Sequence, residues 1–305
     1  MKLGLLTAPF EDSSLTEVAD WSAANGFHML EVACWPADGG EKRRYAGTSH
    51  IDVSALTPET AKDLVTDLDR RGIQISGLGY YPNNLHPDPE EREAVNEHTK
   101  AVIRGAALLG VPVVNTFIGA DPVKTQEENY QEFLRVWPGI WEVAESEGVR
   151  IAIENCPMIF SNDEWPSGKN LAYSPAIWRR MFSATPDAVL GLNLDPSHLI
   201  WQMIDIQRVV DEFADRIYHV HVKDLEIDRE GLYENGILSL GMGWQVPRLP
   251  GLGEVDWPRF VSALYRNGYD YVLCIEHEDR NFEGTDEKLK AGFILARNTV
   301  SPLIV

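Results

Sequence analysis

The run Ile151-Ala152-Ile153-Glu154-Asn155 is short and apolar up to a side chain able to bind a metal near its C-terminal end, and three later runs repeat that form. They are Leu192-Asn193-Leu194-Asp195-Pro196, Tyr218-His219-Val220-His221-Val222-Lys223 and Leu273-Cys274-Ile275-Glu276-His277. Runs of this length, rich in Ile, Leu and Val, read as buried strands. Each carries a side chain able to ligate a metal: Glu154, Asp195, His221 and Glu276. Strands of a parallel barrel converge on one axis, and carboxylates there are costly to bury unless a cation holds them. The four runs together therefore predict one divalent metal site.

Outward from these runs, strand-like stretches alternate with amphipathic helical segments, the pattern of parallel βα units. Eight strands are predicted, over residues 2–8, 29–35, 73–80, 112–119, 150–156, 189–195, 217–223 and 271–277, with eight helical segments between them. Gly26, Gly72, Gly110, Gly148 and Gly268 each stand shortly before a strand, where a helix end takes a left-handed residue. Eight units favour a closed (β/α)8 barrel over an open doubly wound sheet. No Gly-x-Gly-x-x-Gly follows the first strand to suggest a dinucleotide site. A chain of 305 residues matches one such barrel, so a single domain over 1–305 is expected. Chemistry in this fold belongs at the C-terminal strand ends and the loops after them. Three of those loops are long, 34–56, 157–173 and 225–255, and the last two are expected to lie over the active site.

Lys and Arg number 27 against 47 Asp and Glu, a formal net charge of -20. That balance argues against nucleic acid and anionic membrane as partners, and favours a neutral small molecule. Cys34, Cys156 and Cys274 are odd in number and each lies in or beside an apolar run, which reads as reduced core thiols in a cytoplasmic protein. The stretch Met1 to Pro9 is too short an apolar run for a signal peptide and reads as a first strand. No stretch reaches transmembrane length.

Strand alternation puts Glu154 on one face with Ala152 and Cys156, Asp195 with Asn193, and His221 with His219 and Lys223. Mixed carboxylate and imidazole ligation suits Mn²⁺, placed first, or Mg²⁺, Co²⁺ or Fe²⁺, with Zn²⁺ fitting a tetrahedral site. Glu31 shares its side with Ala33, so it reaches either the barrel axis near the metal or a buried Lys or Arg. Asp88-Pro89-Glu90-Glu91-Arg92-Glu93 reads as a helix start.

The chain resembles the xylose-isomerase-like TIM barrels known as sugar phosphate isomerase/epimerases, which include ketose 3-epimerases and inosose dehydratases. The resemblance covers nearly the whole chain. Its marks are Glu154 after Ile151-Ala152-Ile153, Asp195-Pro196-Ser197-His198, His219-Val220-His221-Val222-Lys223-Asp224, Pro250-Gly251-Leu252-Gly253-Glu254-Val255-Asp256-Trp257, and Glu276. By that similarity Glu154, Asp195, His221 and Glu276 are the metal ligands. The two glutamates are then the acid and base that act on opposite faces of a keto sugar, and His198 hydrogen-bonds substrate. The reaction implied is isomerisation or epimerisation through an enediolate.

Ketohexose 3-epimerases carry a second Glu six positions after the first and an Arg six after the His; here those places hold Phe160 and Ile227. Polar contacts for a sugar are expected instead from Lys223, Asp224, Lys169 or Asn115. Tyr80, Tyr81, Phe117, Phe160, Trp165 and Trp244 offer stacking surfaces for a sugar ring or an aryl aglycone. The substrate-binding set is taken as His198, Lys223, Asn115 and Trp165. The departures, with the two long loops, also resemble the catalytic α subunits of C-glycoside deglycosidases, which enolise a 3-keto-glycoside and eliminate its aglycone. The substrate expected is a sugar or glycoside. The assembly expected is a homo-oligomer, or a hetero-oligomer with a small β subunit if the chain is a deglycosidase. An endonuclease IV-type nuclease of the same fold needs more His ligands and a basic track. A non-catalytic binding subunit is expected to have lost ligand residues, and all four remain.

Overall fold

In the computed structural model, which describes residues 1–37, 44, 46–159, 168–238 and 243–305, eight parallel strands close into a barrel. They are β1 (Lys2–Leu6), β2 (Met29–Ala33), β3 (Gln74–Gly79), β4 (Val113–Thr116), β5 (Arg150–Glu154), β6 (Leu190–Leu194), β7 (Ile217–Val222) and, last around the ring, β10 (Val272–Ile275). β10 pairs with both β7 and β1, which closes the ring in the order β1-β10-β7-β6-β5-β4-β3-β2. Leu5, Leu30, Leu78, Val114, Ile151, Leu192, Val220 and Ile275 are buried in the core between the strands and the helices outside them. This is the (β/α)8 architecture expected from the alternating runs.

The helices begin and end where local chemistry dictates. Asp88 accepts from the backbone N–H groups of Glu90 and Glu91 and starts α3 (Pro89–Leu109), as its sequence signature predicts. Gly110 ends α3 and Gly148 ends α5 (Pro138–Glu147), at φ of 67° and 68°, a region that strains any residue with a Cβ. Among the described residues three connections hold two α-helices rather than one, the one after β7 holding Arg229–Asn235 and Trp257–Arg266. Pro138 separates α4 (Gln126–Val136) from α5, and the short α7 (Ser197–Trp201) precedes α8 (Ile206–Phe213).

Observed strands stop earlier than the predicted ones, and the reason bears on the site. The predicted stretch 112–119 pairs only as Val113–Thr116, because beyond it the backbone turns to side chains for its partners. The Phe117 carbonyl accepts from Asn84, and the Gly119 N–H donates to Asn170. In the same way Asp195 and Glu276 lie one residue past the ends of β6 and β10. The ligand candidates thus stand on the barrel rim.

The segment 225–255 is not the open loop that its glycines suggest. Asp224–Ile227 (β8) and Gln245–Arg248 (β9) form an antiparallel pair in the register Asp224↔Arg248 to Ile227↔Gln245, with α9 (Arg229–Asn235) between them. Trp244, Leu225 and Ile227 give this flap a core of its own, against Ile200 and Trp201. In the segment 34–56, the backbones of Cys34 and Ser49 pair antiparallel and Val53–Ala55 form a 3-10 turn. The three cysteines are buried and unbridged.

Candidate active site

Glu154, Asp195, His221 and Glu276 present one ligand atom each, all within 4.8 Å of one another, on four different strand ends. All four side chains are buried. Their positions are set by amides at the rim. Asn155 donates to the Asp195 carbonyl at 2.9 Å and accepts from the Asp195 N–H at 2.7 Å, so the ends of β5 and β6 are tied as if the ladder continued. Asn170 donates to the carbonyls of Glu154 and Cys156, at 3.0 and 2.7 Å. Asp195 Oδ1 accepts from the Ser197 N–H at 2.8 Å, which turns Oδ2 toward the cluster.

His221 is held from behind. Its Nε2 donates to Glu31 Oε2 at 2.7 Å, and the Tyr81 hydroxyl donates to the other Glu31 oxygen. Asn193 Nδ2 donates to the Tyr81 oxygen at 3.1 Å, His219 Nδ1 meets Asn193 Oδ1 at 3.0 Å, and Ser76 meets His219 Nε2 at 3.1 Å. Each group in this buried chain has a partner, and an acceptor at Asn193 Oδ1 fixes His219 as an Nδ1–H tautomer. Burial drives the His219 pKa down to about 3 despite nearby Glu31, so that ring stays neutral. Burial pushes Glu31 up, but the charge and hydrogen bond of His221, with the Tyr81 hydrogen bond, outweigh it and hold the carboxyl below its ordinary value.

With Nε2–H committed to Glu31, His221 Nδ1 points at Glu276 Oε2, 3.2 Å away, and at Glu154 Oε1, 3.8 Å away. His221 Nδ1 and Asp195 Oδ2 are buried without a hydrogen-bond partner. A lone pair there would face carboxylate oxygens and be repulsive unless a cation lay between them. Without a metal a proton takes that place, because burial opposes the charge but Glu276 and Glu31 outweigh it and hold the His221 pKa well above its ordinary value. The donor set of one imidazole and three carboxylates fits a divalent cation of the hard to borderline class.

Lys223 completes the cluster. Its Nζ donates to Glu276 Oε2 at 2.7 Å and lies 3.0 Å from Asp195 Oδ2, 3.0 Å from Glu278 Oε2 and 3.7 Å from Glu154 Oε1. Burial opposes its charge, but Asp195, Glu276, Glu278 and Glu154 carry its pKa well above the ordinary lysine value. The two glutamates differ. Burial raises both, yet Lys223, His198 and His221 bring Glu154 well below the usual range. At Glu276 burial and the nearby Glu154 and Glu278 charges prevail, and the pKa is raised. His198 Nε2 lies 3.3 Å from Glu154 Oε1 and 3.3 Å from Asp195 Oδ2.

These groups floor a cavity of about 480 Å³, a size typical of small-molecule sites. Trp35, Phe117, Met158, Leu225 and Pro247 form apolar walls, and the last two bring the β8–β9 flap over the site. A family model described as "Xylose isomerase-like TIM barrel" matches residues 19–297. The chain belongs to that family. Relatives of this xylose isomerase-like barrel include the uncharacterized protein YfiH of Bacillus subtilis, 27% identical over 92% of this chain and 93% of the relative. An inosose dehydratase of Clostridium beijerinckii is 23% identical over 76% of this chain and 78% of its own. Among solved structures, the IOLI protein with a binding zinc atom has a TM-score of 0.70 at 18% identity, over 100% of this chain and 99% of the other. D-psicose 3-epimerase from Clostridium cellulolyticum, with D-tagatose, has a TM-score of 0.69 at 16% identity, over 98% of this chain and 99% of the other. At these identities the structures show a shared fold.

Within this xylose isomerase-like site, His198 and Lys223 line the cavity, whereas Asn115 does not. Asn115 is fully buried in the barrel, against Gly77, where an added Cβ at Gly77 would meet its Nδ2 at 2.8 Å. Trp165 and Phe160 lie outside the described residues. Asp224, read as a polar contact for substrate, is buried and accepts from four N–H groups of the chain instead. Glu31 pairs with His221 and Tyr81 rather than with a Lys or Arg. Glu278 escaped the sequence reading altogether, although its place two residues beyond Glu276 puts it on the same rim.

Glu31 is expected to act through His221. Glu31→Gln keeps the shape but accepts the His221 N–H more weakly, so cation affinity should fall about 10–100-fold. Calorimetric titration with Mn²⁺ checks this, and an unchanged affinity would remove Glu31 from the site's design.

Proposed function

We propose that the chain is a divalent-metal-dependent enzyme that moves a proton at a carbon next to the carbonyl of a keto sugar, giving isomerisation or epimerisation. The observation that carries this reading is the pair Glu154 and Glu276. They project from β5 and the end of β10, strands separated around the ring by two others, and their oxygens converge within 4.8 Å. Glu154, Asp195, His221 and Glu276 would hold a divalent cation, whose chemistry when bound would be electrophilic stabilisation of charge on the carbonyl oxygen.

The chain's own groups do the rest. Glu154, as carboxylate, takes the proton from carbon, and the C–H electron pair becomes the new C=C bond while the carbonyl electrons move onto oxygen. His198 and Lys223, at the cavity floor, donate to substrate oxygens and fix which carbon faces Glu154. Glu276, as carboxylic acid, returns a proton to the opposite face of that carbon, which inverts it; protonation of the neighbouring carbon isomerises the sugar. The β8–β9 flap, with Leu225 and Pro247 inward, limits water at the reacting carbon.

The apolar walls favour a second reading of the same first step. A substrate bearing an aryl group at C1 of a 3-keto sugar would lose that group by elimination from the enediolate, as in a C-glycoside deglycosidase. Proton exchange in D₂O followed by NMR, with Mn²⁺ and a panel of ketoses, inososes and aryl 3-keto-glucosides, separates the readings. Exchange with a new sugar isomer supports the first, and exchange with aglycone release supports the second. No exchange with any substrate, metal bound, would overturn both.

A further inference from the structure

Lys223 is placed where a metal centre least tolerates a cation. Its ammonium lies 2.7, 3.0 and 3.7 Å from Glu276 Oε2, Asp195 Oδ2 and Glu154 Oε1. Two of those same oxygens, Glu276 Oε2 and Glu154 Oε1, also face His221 Nδ1. The ammonium therefore sits on three carboxylates of the same set that a divalent ion would use. Among the described residues a fourth carboxylate, Glu278 at 3.0 Å, belongs to Lys223 and not to the ligand set.

We infer that Lys223 is a built-in competitor for the metal, an intramolecular cation that weakens metal affinity and, with Glu278 as its separate partner, keeps the bound ion exchangeable. This inference rests on the proposed metal site. Its physical basis is charge alone. A positive group a few ångströms from a divalent ion, in a buried site where solvent screens little, repels it strongly. The same ammonium offsets part of the repulsion among four neighbouring carboxylates, so the cluster's folding does not depend wholly on the metal. Removing the lysine charge should then do two things at once. The protein stripped of metal loses stability, and the metal binds more tightly.

Two neutral variants test this. Lys223→Gln keeps a donor against Glu276 and removes only the charge, while Lys223→Met removes both. Titration calorimetry with Mn²⁺ on full-length protein is expected to show at least about tenfold tighter binding to Lys223→Gln than to wild type. Thermal melting gives an independent readout: in EDTA the Gln variant should melt below wild type, and saturating Mn²⁺ should raise its melting temperature by more than it raises that of wild type. Lys223→Met should show both effects more strongly, and folding only with Mn²⁺ present would be the extreme form of the second. Equal or weaker binding to Lys223→Gln, with wild type binding metal, overturns the competition and leaves the metal site standing. No binding to wild type or to either variant overturns the metal site itself and the inference with it.

Discussion

Glu154→Gln is expected to lower turnover and substrate proton exchange about 10³-fold or more, within the range that a positioned general base contributes. The substitution leaves the side chain's size unchanged and removes the charge that takes the proton. The fold should persist, because Asn170 holds the Glu154 backbone carbonyl rather than its carboxylate. Glu276→Gln should be equally damaging, since the acid on the other face is lost. The two variants should differ in which epimer they affect most, each losing exchange chiefly for the epimer whose proton faces the altered residue. Exchange kinetics with both epimers, at Mn²⁺ levels saturating for each variant, make the comparison. Full activity in either variant would sink the acid/base assignment.

That pair was legible in the chain because burial leaves a trace in composition. A metal-binding side chain that ends an apolar strand run is conspicuous, and four such runs in order imply convergence on one axis. The barrel follows from the same alternation, since parallel strands need helices between them. What the runs could not show is which groups meet across the barrel. Glu31 and His221 are 190 residues apart, and Tyr81 joins them from a third strand end. Taken alone, His221 reads as a ligand candidate, Glu31 as a residue near the barrel axis or paired with a Lys or Arg, and Tyr81 as a stacking surface. The rim amides Asn155 and Asn170 act as substitutes for missing ladder bonds, and a strand's end has to be seen before that need appears. The flap was hidden for a different reason. Its strands β8 and β9 are four residues each, and Pro247 together with nearby glycines makes the stretch look like open loop.

Asp224→Asn is expected to be the most destabilising conservative change at the barrel's rim, and to damage the site as well. Oδ1 of Asp224 accepts from the Leu225 and Val255 N–H groups, each at 2.9 Å. Oδ2 accepts from the Gly251 N–H and the Trp257 indole N–H, each also at 2.9 Å. The carboxylate is fully buried, so water cannot take over these roles. An amide accepts on one side only, and its NH₂ would face two donors whichever way it turned. Two N–H groups lose their partner, at about 1–3 kcal/mol each, so a loss of about 2–6 kcal/mol is expected. Denaturant unfolding measures it, and limited proteolysis should show cleavage gained within 249–257, the segment that Asp224 pins. Because Asp224 and Lys223 are adjacent and face opposite ways, the same change loosens the backbone that aims Lys223 at Glu276 and Asp195. Turnover should therefore fall along with stability, and Asp224→Ala should behave no better. An unfolding midpoint within error of wild type would show that the four bonds contribute little, and that the flap is held by the packing of Trp244, Leu225 and Ile227 instead.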